Sequence, residues 1–123
     1  MEIKPKLLIV EDDEWNQKMY EVLFSKKFSV VICRNDEEFY TELPKDQFAI
    51  FIMDLSLLGN KDGIQLIKEL RQMDMYKSTP IIVVTANAFQ EDEQIALSAG
   101  ATKFLRKPIN NKVLLNELLK LLT

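Results

Sequence analysis

Four carboxylates of this 123-residue chain stand directly after apolar runs, where a buried strand would end. Glu11, Asp12 and Asp13 follow "LLIV", and Asp54 follows "FAIFIM". Neighbouring carboxylates repel each other, and each loses hydration when it is buried. A divalent cation would offset both costs, and oxygen ligands without histidine or cysteine favour Mg2+. The alternative is that Glu11 and Asp12 are exposed loop acids; for Asp13, capping of the following helix is the better interpretation.

Two further polar residues take comparable positions later in the chain. Thr85 follows "IIVV", and Lys107 follows "KFLR". Beside Mg2+, the Asp54 carboxylate could attack a phosphoryl group, while Thr85 donates a hydrogen bond to a transferred oxygen and Lys107 offsets its charge. Taken alone, Thr85 and Lys107 are ordinary strand-end residues, so this chemistry depends on their register with Asp54.

The elements that must position these residues are apolar runs that alternate with helical patterns. The five predicted strands are Leu7–Val10, Ser29–Cys33, Phe48–Met53, Ile81–Val84 and Lys103–Arg106. Several of them are apolar throughout, as parallel strands covered on both faces usually are. Alternation of this kind predicts a (βα)5 chain with a parallel sheet and right-handed crossovers.

Helical spacing of apolar residues predicts a helix after each strand. The predicted inner face of the first helix is formed by Trp15, Met19, Val22 and Leu23. The second helix, Asp36–Leu43, is closed by Pro44, and the fourth ends at Gly100. In the last helix, Asn111–Leu122, the predicted core residues are Leu115, Leu118, Leu119 and Leu122. Leu114 and Leu121 are left as surplus apolar residues, for which broad burial is the favoured interpretation and a dimer or partner surface is the alternative.

Composition limits the classes of function. Hydrophobic residues at 47% and charged residues at 28% fit one globular domain over residues 1–123. A net charge of −3 gives no general reason to bind nucleic acid or an anionic membrane, and neither a signal peptide nor a membrane-spanning run is present. The absence of histidine excludes histidine-based catalysis and most zinc sites. Cys33 is predicted to pack as a small hydrophobe, and a cytoplasmic location is expected.

Over essentially its whole length the chain resembles the receiver domain of response regulators, the phosphoryl acceptors of two-component signalling. The segments that carry the resemblance are "LLIVEDD", "IMDLSLL", "KDG", "VVTANA" and "FLRKP", in family order and at family spacing. The resemblance implies a flavodoxin-like α/β sandwich of three layers, in which the parallel strands take the order 2-1-3-4-5 of the chemotaxis receiver.

The resemblance also implies the ligands of a magnesium site. Asp12 would bind Mg2+ directly, and Glu11 would act through water. Asp54 and the backbone carbonyl of Ser56 would complete the protein ligands.

The remaining family roles concern the phosphoryl group and the switch that follows it. Asp54 would be the phosphoacceptor, Lys107 the phosphate-binding lysine and Thr85 the switch hydroxyl. Phe104 takes the aromatic switch position, where tyrosine is commoner. The bond between Lys107 and Pro108 would be cis, a form that other peptide bonds rarely take.

The function implied is that of a signalling domain, not an enzyme beyond its own phosphorylation and slow dephosphorylation. A histidine kinase or a histidine phosphotransfer protein would supply the phosphoryl group. The surface of the fourth helix, fifth strand and fifth helix would then change, and it also offers a place for a homodimer. Nucleic acid and membrane are not expected as partners.

The main alternative is a Mg2+-dependent phosphatase of the haloacid dehalogenase type, which also uses a strand-end aspartate. That family needs a second acid two residues after the nucleophile, where this chain has Ser56. The loop "DLSLLGNKDG" departs from the receiver pattern, because Leu58 replaces the usual proline and one extra residue precedes Asp62. The geometry of that loop and the dephosphorylation rate are therefore left open.

Overall fold

The computed structural model describes residues 3–55, 62–86 and 90–122, and these residues form one parallel sheet with helices on both faces. The sheet has five strands in the order β2-β1-β3-β4-β5. Their bounds are β1 (Lys6–Val10), β2 (Ser29–Cys33), β3 (Ile50–Met53), β4 (Ile81–Thr85) and β5 (Lys103–Arg106). The predicted fold class and strand order are confirmed.

Each strand is followed by a helix within the described part of the chain. The helices are α1 (Glu14–Phe24), α2 (Asp36–Glu42), α3 (Gly63–Gln72), α4 (Gln90–Ala99) and α5 (Asn111–Leu121). Short 3₁₀ turns follow α2 at Leu43–Lys45 and α3 at Asp74–Tyr76. None of these helices is both long and apolar enough to cross a membrane.

The core is divided between the two faces of the sheet because successive side chains of a strand point in opposite directions. On one face, Val10, Met53 and Val83 pack with residues of α2, α3 and α4. On the other face, Ile9 and Ile52 pack with residues of α1 and α5. The three layers place every strand end that carries a candidate site residue at the same edge.

The buried face of α1 differs from the predicted one. Tyr20 and Phe24 are 2% and 0% exposed, whereas Trp15 and Val22 are 76% and 81% exposed. The rings of Tyr20 and Phe24 stack one turn apart with their centroids separated by 5.7 Å. Two apolar stripes overlap on this helix, and the stripe with the larger aromatic area is the one that packs on the sheet. The prediction that Trp15 and Val22 face the core was wrong.

In α5 the predicted inner face is also displaced. Leu114 and Leu118 are both 0% exposed, while Leu121 packs at the edge of the same core cluster. The spacing of these residues is i, i+4 and i+7, which defines one helical face. The favoured interpretation of broad burial is therefore confirmed for Leu114, and Leu121 packs beside it, because six leucines in twelve positions supply two overlapping stripes.

Five boundaries shift by one or two residues from their predicted positions. The strand β1 begins at Lys6 instead of Leu7, and the helix α5 ends at Leu121 instead of Leu122. The strand β3 begins at Ile50 instead of Phe48, since the N–H of Phe48 donates to the hydroxyl of Tyr76 at 3.2 Å and not to a neighbouring strand. The helix α2 ends at Glu42, and Pro44 lies inside the 3₁₀ turn that follows. The strand β4 extends one residue further and includes Thr85. Apart from this extension of β4, the carboxyl ends of the strands lie where they were predicted.

Candidate functional site

Backbone hydrogen bonds join the carboxyl ends of four strands in two pairs. The N–H of Asp54 donates to the carbonyl of Val10 at 3.1 Å, which ties the end of β3 to the end of β1. The N–H of Lys107 donates to the carbonyl of Thr85 at 3.0 Å, which ties the end of β5 to the end of β4. The residues that follow the strands are thus fixed by continuation of the sheet ladder, not by flexible loops.

The segment between β1 and α1 is fixed from both sides. The N–H of Glu11 donates to the carbonyl of Cys33 on β2 at 2.9 Å, and the side-chain amide of Gln17 donates to the carbonyl of Glu11 at 2.6 Å. Asp13 accepts the N–H of Asn16 at 2.9 Å and caps α1, as predicted.

Cys33 is buried, which raises the pKa of its thiol to about 12.

Lys107 lies between two buried carboxylates. Its Nζ atom is 2.7 Å from Oε1 of Glu11 and 3.1 Å from Oδ2 of Asp54. The other carboxylate oxygen of Asp54 accepts the hydroxyl of Thr85, with 3.1 Å between Oγ1 and Oδ1. The side chains of Glu11 and Asp54 are only 2% and 8% exposed. Four of the predicted site residues therefore meet in one hydrogen-bonded cluster.

Burial and charge shift the pKa values in this cluster. Desolvation raises the pKa of Glu11, the nearby charge of Asp54 raises it further, and Lys107 offsets only part of the rise. Desolvation lowers the pKa of Lys107, but its hydrogen bonds and charge interactions with Glu11 and Asp54 outweigh this and raise the pKa overall. Lys107 is therefore a firmly charged counterion for the two carboxylates.

The carboxylates also fit a divalent cation. Glu11, Asp12 and Asp54 each offer an oxygen atom, and these atoms lie within 4.8 Å of one another. Asp12 is half-buried and opens the cluster to solvent, whereas the other two are buried. A set made only of carboxylate oxygens suits Mg2+. The fourth predicted ligand, the carbonyl of Ser56, and the departure at Leu58 lie outside the described residues.

Phe104 lies away from the carboxylates but on the same face of the sheet as Thr85. In the pairing of β4 with β5, Val83 stands opposite Phe104, and Thr85 stands opposite Arg106. The Phe104 ring is half-buried against the core on the α2–α3–α4 face. Phe104 and Thr85 thus belong to pairs that lie two positions apart along the strands, so their side chains are on the same face of the sheet.

Arg106 extends this arrangement to α4. Its guanidinium carbon lies 5.2 Å from the centroid of the Phe104 ring, and its Nη1 atom is 3.0 Å from Oε1 of Glu93. Neither Arg106 nor Glu93 was expected from the sequence. The available signal was the spacing of two between Phe104 and Arg106, which puts both side chains on one face of a strand.

A groove that the sequence did not predict runs from this cluster along α1. It consists of two adjoining pockets that share Met19 and Asn111 in their walls. Its end beside the cluster is lined further by Asn16, Tyr20, Ala86, Lys107, Pro108 and Ile109. Its outer end is almost entirely apolar and is lined further by Trp15, Lys18, Val22 and Leu23. The predicted cis peptide bond between Lys107 and Pro108 is present beside it.

Known proteins share this architecture. The family model of the response regulator receiver domain matches residues 7–119. The transcriptional regulatory protein CpxR of Klebsiella pneumoniae is 33% identical over 110 residues, which are 89% of this chain but only 45% of that protein. The chain therefore spans less than half the length of this relative.

Solved structures agree with that match. The chemotaxis protein CheY4 of Vibrio cholerae is 27% identical and superimposes with a TM-score of 0.88, covering 97% of this chain and 99% of that chain. The receiver domain of sensor histidine kinase PA1611 from Pseudomonas aeruginosa is 26% identical, with a TM-score of 0.86 and 98% of each chain covered. That structure has a magnesium ion coordinated in its active site cleft.

Replacing Lys107 by methionine is expected to tighten Mg2+ binding. The ammonium occupies oxygens of Glu11 and Asp54 that a cation would use, so its removal leaves the carboxylates with no fixed counterion. We expect the dissociation constant for Mg2+ to fall by about tenfold, measured by isothermal titration calorimetry; this equals about 1.4 kcal/mol.

The matched control is Lys103→Met, which removes the same charge from β5 but breaks an ion pair with Glu117 instead. Its affinity for Mg2+ should stay close to that of the wild type. Equal affinities in the Lys107→Met and Lys103→Met proteins would show that the Lys107 ammonium does not compete with the cation.

Proposed function

Since the chain belongs to the response regulator receiver family, we propose that Asp54 accepts a phosphoryl group and that Glu11, Asp12 and Asp54 hold Mg2+. The observation that supports this assignment best is that two side chains donate hydrogen bonds to the carboxylate of Asp54. The hydroxyl of Thr85 binds one carboxylate oxygen, and the ammonium of Lys107 binds the other. Both donors are thus already directed at the group that would carry the phosphoryl oxygens.

The proposed donor is a phosphohistidine of a histidine kinase or a histidine phosphotransfer protein. A carboxylate oxygen of Asp54 attacks the phosphorus atom, the bond between phosphorus and the imidazole nitrogen breaks, and the imidazole leaves with the electron pair. Bound Mg2+ supplies positive charge to the transferring oxygens. Lys107 offsets the same charge from the carboxyl end of β5, and Thr85 donates a hydrogen bond to a phosphoryl oxygen. The carbonyl of Ser56 is proposed as the remaining protein ligand of the ion.

The proposed signal begins when the new dianion draws Thr85 and Lys107 away from the positions that they take beside the carboxylate. Space then opens at the end of β4, and Phe104 turns inward. Its ring would leave the guanidinium of Arg106, which also binds Glu93 on α4. The surface of α4, β5 and α5 would change in consequence, and we propose that partners or a second copy of the chain recognise it.

The protein donor is proposed to dock on the groove along α1. The groove leads directly to Lys107, and its outer end presents the side chains of Trp15 and Val22, which are 76% and 81% exposed. An apolar patch of this kind beside a reactive carboxylate fits the apolar face of a helix that carries the phosphohistidine. Small phosphodonors would reach Asp54 without touching the patch.

We expect Mg2+ and acetyl phosphate to add one phosphoryl group to the wild-type protein and none to Asp54→Asn. The substitution removes the attacking oxygen and keeps the size of the side chain. Intact-mass spectrometry measures the product, and Asp46→Asn, a change at an exposed aspartate paired with Lys6, serves as control. Equal labelling of wild type and Asp54→Asn would contradict the assignment, and repeated turnover of general phosphate monoesters would favour a phosphatase.

We expect Val22→Asp to slow transfer from a protein donor and to leave transfer from acetyl phosphate unchanged. Val22 is 81% exposed, so the charge is added to the docking patch without disturbing the core. The rates are compared with any phosphorylated histidine phosphotransfer domain that labels the wild type. Met75→Asp is the control, since Met75 is 58% exposed but lies in the 3₁₀ turn that precedes β4. Equal slowing by both substitutions, or by neither, would contradict docking at α1.

We expect Thr85→Ala to accept the phosphoryl group but to fail in moving Phe104. Hydrogen bonds to charged groups contribute about 1.5–3 kcal/mol each, enough to shift a two-state equilibrium at least severalfold. Amide NMR spectra with and without Mg2+ and beryllofluoride provide the measurement. Wild type and the control Thr41→Ala, a change on the exposed side of α2, should shift at Phe104 and Arg106. Full shifts at Phe104 in Thr85→Ala would mean that the switch follows another route.

A further inference from the structure

The first residue of α3 lies against the backbone of Asp54. Gly63 is buried, and a Cβ atom at this position would lie 2.2 Å from the carbonyl oxygen of Asp54. The same atom would lie 3.0 Å from the carbonyl carbon of Asp54 and 3.0 Å from the Cα atom of Leu55. Each of these contacts is with main chain, which has no alternative rotamer. A side chain at position 63 would therefore move either α3 or the peptide group that follows Asp54.

The requirement at this position is one of space and not of backbone conformation. Among the described glycines only Gly100 has a positive φ, and Gly63 begins an ordinary helix. Asp62 caps that helix by accepting the N–H of Gln65 at 3.1 Å, and the Gln65 side chain accepts the N–H of Asp62 at 3.3 Å. The N–H of Gly63 points back to the carbonyl of Leu55 at 3.3 Å. The first turn of α3 is thus fixed where it touches the chain after Asp54.

The two sides of Asp54 are held differently. On its amino side, the N–H is fixed by the carbonyl of Val10 at 3.1 Å. On its carbonyl side, the contact that the structure describes is with Gly63 of α3. The hydrogen bonds from Thr85 and Lys107 to the Asp54 carboxylate are both 3.1 Å long, which is in the outer part of the usual range for an N–H donor and just beyond it for a hydroxyl donor. A displacement of the Asp54 backbone that lengthened them would therefore weaken bonds that are already long.

We propose that Gly63 is a positioning residue for phosphoryl transfer. Its missing side chain lets α3 press against the peptide group between Asp54 and Leu55, and this contact holds the carboxylate within reach of Thr85 and Lys107. The inference rests on the proposed function, because the carboxylate that it positions is the proposed phosphoacceptor. Misplacement of a reacting group by about 1 Å costs on the order of 100-fold in rate.

The chain contains a matched control for this proposal. Gly100 has φ +121°, a conformation that is costly for other residues, and a Cβ atom there would lie 2.6 Å from Cγ of Arg71. It lies directly after α4, at the amino edge of the sheet, where Arg71 binds its carbonyl at 2.9 Å. Gly100→Ala should therefore destabilise the fold without touching the carboxylate cluster.

The test compares Gly63→Ala with Gly100→Ala by urea unfolding, by the rate of labelling with acetyl phosphate and Mg2+, and by amide NMR of the unphosphorylated protein. We expect both variants to be less stable than the wild type. At a temperature where each is folded, Gly63→Ala should be labelled at least about tenfold more slowly, and Gly100→Ala at close to the wild-type rate. Only Gly63→Ala should shift the amide resonances of Asp54, Thr85 and Lys107.

Several outcomes would overturn the proposal. Labelling of Gly63→Ala at the wild-type rate would do so, as would equal slowing by Gly100→Ala, because the effect would then be one of stability. If the wild type is not labelled, the proposed function fails, and the NMR comparison alone decides whether Gly63 positions Asp54. If Gly63→Ala does not fold, Asp62→Ala replaces it. That change loosens the cap of α3 at an exposed residue, and unchanged labelling would count against the proposal.

Discussion

The Lys107 ammonium, held between Glu11 and Asp54, is the interaction on which the edge of the sheet depends. Parallel strands bring their carboxyl ends together, so acids that follow β1 and β3 are forced into one small volume whatever their charge. Buried carboxylates in such a place must be neutralised or protonated. Lys107, which reaches them from the end of β5, supplies one positive charge, and its raised pKa keeps that charge in place.

Because the carboxylates and Lys107 meet at the edge of the sheet, each of its two faces can take a separate part in the proposed function. The groove on the face of α1 and α5 reaches the cluster at Lys107, which suits the approach of a donor. The opposite face carries Phe104, Arg106 and α4, which suits the transmission of a change after transfer. Lys107 belongs to both, because it follows the strand that carries Phe104 and lines the groove along α1. In the proposed function, Lys107 therefore takes part both in phosphoryl transfer to Asp54 and in the change at Phe104 that follows it.

Much of this arrangement could be predicted from the sequence. The run "FAIFIM" marks a buried strand, and the position of Asp54 after it places the carboxylate at the sheet edge, because all parallel strands end there. The inner face of α1 could not be predicted in the same way. Its two apolar stripes both satisfy helical spacing, and only packing against the sheet decides that Tyr20 and Phe24 are inside. The contact between Gly63 and Asp54 was equally hidden, since close approach of two backbones leaves no pattern of hydrophobicity.

The ion pair between Arg106 and Glu93 has a consequence for the medium in which the protein works. Both side chains are well exposed, at 45% and 38%, so dissolved salt screens their attraction. Exposed pairs of this kind contribute less than about 1 kcal/mol, but the Arg106 guanidinium also lies over the Phe104 ring. A rise in ionic strength therefore weakens the ion pair that links Arg106 to Glu93 on α4. The ion pairs of the buried Lys107 cluster are almost unaffected, because dissolved ions do not reach them. The contacts that hold Arg106 over the Phe104 ring are therefore sensitive to ionic strength, whereas those inside the Lys107 cluster are not.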